Sequence, residues 1–188
     1  LRAASGSLKA GVPARLTART AIDYAGPNSP VTNLCTATSD DPQFDDQWNL
    51  PEVGIPEVWA MGYCGDPAIK VGIQDLGFHT DLDDLDLDSS DPSLISYHGT
   101  NCASIIAAKA DNATAIAGIL QDITIHGYPE LPNEASSAAA TQAAADAGCR
   151  VLSNSTGSEI GPTYVWQNAI LYAYRMGVFM ASAMGNCH

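Results

Sequence analysis

Four short stretches of the chain read as strands. Residues 68–75 form an apolar run with β-branched Ile69, Val71 and Ile73, and residues 119–125, 151–154 and 178–183 supply three more. Runs of this length suit strands buried on both faces of a parallel sheet. Between them the period lengthens. Residues 163–176 set Val165, Ala169, Tyr172 and Met176 on one helical stripe that stops at Gly177, and the Ala-rich stretch 136–147 stops at Gly148; glycine tolerates the left-handed backbone at a helix end. A further helix is expected over 97–108. A short one is expected over 55–62, with Pro56 in its first turn, where a missing N–H is harmless, and an apolar face of Val58, Trp59 and Met61. Gly65-Asp66-Pro67, residues 111–114 and residues 128–134 read as turns or loops. Strands alternating with helices predict an α/β fold, a three-layer αβα arrangement around a mostly parallel sheet. Residues 1–40 show no sustained period and read as an extended leader, and no internal repeat is evident.

Composition narrows the field. A chain of 188 residues, 46% hydrophobic and 15% charged, has the material for one folded core. Eight Lys and Arg against 21 Asp and Glu give a net charge of −13, which argues against a nucleic-acid partner, since phosphate binding needs clustered cations. No apolar run is long enough to cross a bilayer, so no membrane partner is expected. The chain begins at Leu1 without a basic-then-apolar leader, so an export signal is either removed or never included. Five cysteines, at 35, 64, 102, 149 and 187, cannot all pair with one another and match no zinc spacing. They leave the redox compartment open. Cys102 is expected on the buried side of the 97–108 helix, as a small core residue.

Functional groups of open α/β sheets collect at the carboxyl ends of the strands. Asp75, the segment Ser155-Thr156-Gly157, and Asn186 each follow an expected strand, and His98 opens the helix beyond a loop. A carboxylate, an imidazole and a carboxamide are therefore expected on one rim. Each also has an ordinary reading: Asp75 as the cap of the following turn, His98 as a structural histidine, Asn186 as part of a polar turn. No Gly-x-Gly-x-x-Gly or Walker loop follows any strand, which disfavours a nucleotide-binding domain.

Taken in order, Val71-Gly72-Ile73-Gln74-Asp75-Leu76-Gly77, His98-Gly99-Thr100, Ser153-Asn154-Ser155-Thr156-Gly157 and Ala183-Met184-Gly185-Asn186 resemble the subtilisin-like serine proteases, the subtilases. The resemblance implies a serine endopeptidase acting on a polypeptide substrate by acyl transfer, with no catalytic cofactor. It makes Asp75 and His98 two members of the catalytic triad and Asn186 the oxyanion-hole donor. Ser155, Thr156, Gly157, Ala183, Met184 and Gly185 would line the primary specificity pocket, and residues 128–135 would border substrate further from the cut. Ala21-Ile22-Asp23-Tyr24-Ala25-Gly26-Pro27-Asn28 is similar to the tail of a subtilase propeptide, and residues 41–188 to the front part of the protease domain, stopping before the last strands. Secretion is implied with the family. Many subtilases bind structural calcium; here Asp41, Asp81 (in His79-Thr80-Asp81-Leu82) and Asn112 match the ligand positions, although the acidic run 81–88 also reads as a solvated loop.

Several positions depart from the family pattern. Asn101, Cys102 and Ser104 replace the usual His, Val and Gly of the histidine motif, and Gln74 replaces an apolar residue before Asp75. The family's nucleophile sits in Gly-Thr-Ser, and that tripeptide does not occur in these 188 residues. The chain is thus expected to be inactive alone, with a C-terminal remainder of the protease domain as a partner. The alternative is a non-catalytic subtilase-like module that binds a peptide or a partner protein.

Overall fold

The computed structural model describes residues 35–121, 123–157 and 163–185. Most of the expected leader, residues 1–34, and the expected oxyanion donor Asn186 lie outside the described residues. The elements run α1 (Asn49–Glu52), α2 (Ile55–Ala60), β1 (Val71–Asp75), β2 (Leu87–Ser89), α3 (Tyr97–Ala107), β3 (Ile125–Pro129), α4 (Glu134–Asp146), β4 (Val151–Asn154), α5 (Tyr164–Arg175) and β5 (Phe179–Ser182). The strands lie in the order β2-β3-β1-β4-β5, and every pairing is parallel. β1 is the central strand.

The alternation of side chains along β1 explains why its run is apolar throughout. Val71 and Ile73 face one way, into a cluster with Phe78, Ile125 and the α3 residues Ala103 and Ala107. Gly72 and Gln74 face the other. A Cβ on Gly72 would press on Tyr128, Cys149 and Leu152, which pack with Ala140 and Ala144 of α4 and Ala173 of α5. Gln74 accepts a hydrogen bond from Thr141 of α4 at 2.8 Å. Helices therefore cover both faces of the sheet, giving the expected αβα layering.

The strand expected over 119–125 begins only at Ile125. Gly118, Ile119 and Leu120 donate their N–H groups to the carbonyls of Ala108, Ile105 and Ile106. They satisfy the C-terminal end of α3 instead of joining the sheet. β3 then runs on through Tyr128 and Pro129, where the prolines had suggested a loop; Pro129 is its last residue, so the missing donor ends the ladder without interrupting it. β2 begins inside the acidic run. Leu85 and Leu87 are buried between exposed or half-exposed aspartates, a period-2 alternation that marks a half-buried strand.

A third cluster, with Leu50, Trp59 and Ala117, packs beside the sheet and is closed by a Cys35–Cys64 disulfide. The Trp59 indole N–H donates to the Ile119 carbonyl at 2.9 Å. Among the described residues, no helix is long and apolar enough to cross a membrane.

Candidate active site

Asp75 is the last residue of β1, on the same face as Val71 and Ile73, and so points at α3. Its carboxylate is buried, and Oδ1 accepts the Leu76 N–H at 2.7 Å. His98 stands in the first turn of α3. Its Nδ1 lies 2.9 Å from Oδ1 and 2.8 Å from Oδ2 of Asp75. The two side chains differ sharply in exposure, 59% for the imidazole and 0% for the carboxylate.

Local chemistry sets the helix there. Ser96 is the N-cap, and its hydroxyl accepts the His98 N–H at 3.2 Å. Thr100 donates its hydroxyl to the Ser96 carbonyl at 2.7 Å and accepts the His79 N–H at 2.9 Å, tying the first turn to the loop after β1. Gly99 makes the approach possible: a Cβ there would lie 2.3 Å from the Gly77 carbonyl oxygen and 2.9 Å from Asp75 Cβ. Gly77, at φ +151°, has the Leu94 carbonyl against it.

A carboxylate bonded at Nδ1 holds the proton on that nitrogen and leaves Nε2 with a free lone pair; it also stabilises the imidazolium that forms when Nε2 takes up a proton. The arrangement is competent for general acid–base chemistry at the exposed side of the ring. Ser155, Thr156 and Gly157 follow β4 and, with His98, line a cavity of about 550 Å³. Asn154 shapes this turn, accepting the Thr156 N–H at 3.0 Å and its hydroxyl at 2.7 Å.

A family model for the subtilases, peptidase family S8, matches residues 67–188. The chain belongs to the subtilase family. This subtilase is 34% identical over 166 residues to thermitase of Thermoactinomyces vulgaris, which covers 79% of the chain and 58% of thermitase. It is 29% identical over 180 residues to a thermophilic serine proteinase of Bacillus sp. strain AK1, covering 88% of the chain and 44% of that protein. Among solved structures, the nisin leader peptidase NisP of Lactococcus lactis aligns with a TM-score of 0.60 at 26% identity, over 77% of this chain and 51% of its own. The chain therefore spans about half the length of these relatives. NisP shares the parallel sheet flanked by helices.

Not every expected site residue of this subtilase joins the cavity. Ala183, Met184 and Gly185 follow β5, are exposed, and are not among its lining residues. Ala183 donates its N–H to the Asn154 carbonyl at 2.9 Å, which sets this segment beside the one after β4. Cys102 is half-buried where a core position was expected. It lies one turn beyond His98, and donor atoms of Asp75, His98 and Cys102 fall within 4.8 Å of one another. Burial pushes its thiol pKa up. The four-residue spacing from His98 is the sequence signal that, in place of the core reading, points to the site's side of the helix.

The residues expected at a metal site gather in part. The Asp41 carboxylate is buried and accepts the N–H groups of Asp111 and Asn112, each at 3.2 Å, and of Thr114 at 3.4 Å. From the acidic run it is Asp84 that reaches Asn112, accepting its amide N–H at 2.8 Å; Asp81 is exposed. The bridge between Leu85 and Ala108 and the Lys109 N–H bond to the Asp84 carbonyl bring position 84 alongside this loop. Burial first, and also the Asp41 carboxylate, push the Asp84 pKa above its ordinary 3.8.

Proposed function

We propose that this chain is the front part of a subtilisin-like serine endopeptidase. The observation that carries the reading is the buried Asp75 carboxylate 2.8 Å from Nδ1 of an exposed His98, in a chain of the subtilase family. In the complete enzyme, a serine hydroxyl attacks the scissile carbonyl while Nε2 of His98 takes its proton. His98 then gives that proton to the leaving amine, and water repeats the sequence on the acyl-enzyme. Asp75 holds the ring's orientation and tautomer throughout. Asn186 is assigned to donate its amide to the developing oxyanion. Ser155, Thr156 and Gly157 on one side and Ala183, Met184 and Gly185 on the other are assigned to flank an extended peptide. The nucleophile is assigned to sequence outside these 188 residues, since no Gly-Thr-Ser occurs in them. That sequence would also continue the sheet beyond β5.

The Cys35–Cys64 disulfide supports a secreted protein, because such bonds persist in oxidising compartments. We assign a structural calcium ion to Asp41, Asp84 and Asn112, with Asp84 in the place first expected of Asp81. The donor set fits in its chemistry: hard oxygens, with two carboxylates whose repulsion a cation would relieve. The second reading, a non-catalytic binding module, draws on Asn101, Cys102 and Ser104 in the histidine motif.

A fluorophosphonate probe separates the readings. The 188-residue chain should stay unlabelled, and a product extended through an in-frame Gly-Thr-Ser should label at that serine. An extended product that resists the probe would favour the binding module. Labelling of the 188-residue chain itself would overturn the assignment of the nucleophile.

A further inference from the structure

We propose that the cavity beside His98 selects a cationic side chain of the bound polypeptide, Lys or Arg, with Glu130 as its counter-charge. This deepens the peptidase reading and rests on it.

Glu130 follows β3 directly, and its N–H donates to the carbonyl of Asp75 itself. It is 3% exposed, and it lines the cavity that His98 lines. Its carboxylate accepts a hydrogen bond from the side-chain amide of Gln74. The direction of that bond is fixed, because the same Gln74 nitrogen also donates to the Ser137 carbonyl at 3.0 Å, and a carbonyl can only accept. Gln74 Oε1 in turn accepts from Thr141. Glu130 is thus held as an acceptor by a neutral partner.

A buried carboxylate normally has a cation beside it. Here none of the ion pairs among the described residues involves Glu130. Lys70 and Arg150 precede β1 and β4, at the opposite rim of the sheet. The parallel topology keeps them a full strand length away, roughly 16 Å. The positive charge that the described residues do not supply would come from a ligand.

The other walls suit a long aliphatic stem that ends in a cation. Leu76, Pro132 and the Trp166 ring line the same cavity; an aromatic face attracts Lys and Arg, and apolar walls take their methylenes. Glu134 also lines the cavity, but it stands in the first turn of α4, where the helix dipole already accounts for an acidic residue. The same dipole makes an anionic side chain the competing occupant.

The test uses the 188-residue chain and fluorescein-labelled hexapeptides on an Ala scaffold, with Lys, Arg, norleucine or Glu placed at each position in turn. Binding is read by anisotropy. One position should favour Lys or Arg over norleucine by about tenfold or more, the scale of a hydrogen bond to a charged group. Glu130→Gln should reduce that ratio to about one. Glu52→Gln, an exposed site on α1, removes the same charge elsewhere and should keep it. The wild-type comparison needs no variant, so a misfolded Glu130→Gln does not remove the test. Equal affinities, a preference for Glu, no binding at all, or a Lys preference that survives Glu130→Gln would each overturn the proposal. Binding is read without turnover, so the peptidase reading is judged separately by the fluorophosphonate experiment.

Discussion

Asp75 has neither a freely rotating carboxylate nor a solvated one. The Leu76 N–H and the His98 ring occupy its two oxygens, and the ring itself stands in solvent. Asp75→Asn keeps this shape but offers an amide where Nδ1–H needs an acceptor. In the complete enzyme kcat should fall on the order of 10⁴-fold with little change in KM, read from steady-state peptide hydrolysis. A loss of tenfold or less would mean the pair is structural. Both residues were legible in the sequence because each sits in a short motif with a fixed place at a strand or helix end. Glu130 and Asp84 were not. The roles assigned to them rest on contacts with Gln74 and Asn112, 56 and 28 residues away, which no local pattern encodes. For Asp84 the sign of the pH effect is testable. A carboxyl whose folded pKa is raised keeps its proton in the fold where the unfolded chain has lost it, so the calcium-free fold loses stability as pH rises from 3.8 through the folded value. Calcium at a hundredfold excess over its Kd should restore about 2.7 kcal/mol at pH 7, a Tm gain of roughly 5–10 °C. The gain should vanish below pH 3.8 and shrink in Asp84→Asn. A Tm indifferent to calcium and chelator would remove the ion from the account.

The element that does most for the site is α3, and Gly99 determines how close it comes. Gly99→Ala places a methyl group against the Gly77 carbonyl and Asp75 Cβ, neither of which is a flexible side chain. The helix must back away, with a destabilisation of about 1–3 kcal/mol, visible as a lower denaturant midpoint at unchanged slope, together with weakened turnover in the complete enzyme. An unchanged midpoint would show that the helix has room to spare. The elements on either side of α3 show where sequence reading works. β4 falls where its apolar run lies, and α5 is within a residue of expectation at each end, because a run and a stripe are local signals. The stretch over 119–125 is just as apolar, but Ile119 and Leu120 give their N–H groups to the end of α3, and Gln121 gives its own to the Cys64 carbonyl. Hydrophobicity says that a segment is buried; it does not say which carbonyls it will meet. The alternation around Leu85 and Leu87 is present in the sequence, but the aspartates between them read equally as a solvated loop.

On the scale of the whole molecule, the sheet presents its two margins very differently. β2 is three residues long, an edge too short to recruit another chain. β5 pairs with β4, and among the described residues no strand lies on its other side. Phe179 there is 68% exposed, and Tyr174 and Met180 border the same groove of about 450 Å³. The 188-residue chain should therefore self-associate at micromolar concentrations. Phe179→Lys should shift it toward monomer in light scattering, since a lysine on an edge opposes strand pairing. A wild-type chain that is already monomeric would mean that this margin is covered.

The bond between Cys35 and Cys64 closes a loop across 29 positions of the chain. By the entropy of loop closure, such a tie removes about 3–4 kcal/mol worth of disorder from the unstructured polypeptide. That is a large share of what holds a domain of this size together. Thiol in the surrounding medium would thus favour unfolding without touching the imidazole or its acid. How much working protein survives would then depend on the redox balance of its surroundings as well as on the chemistry of the cleft.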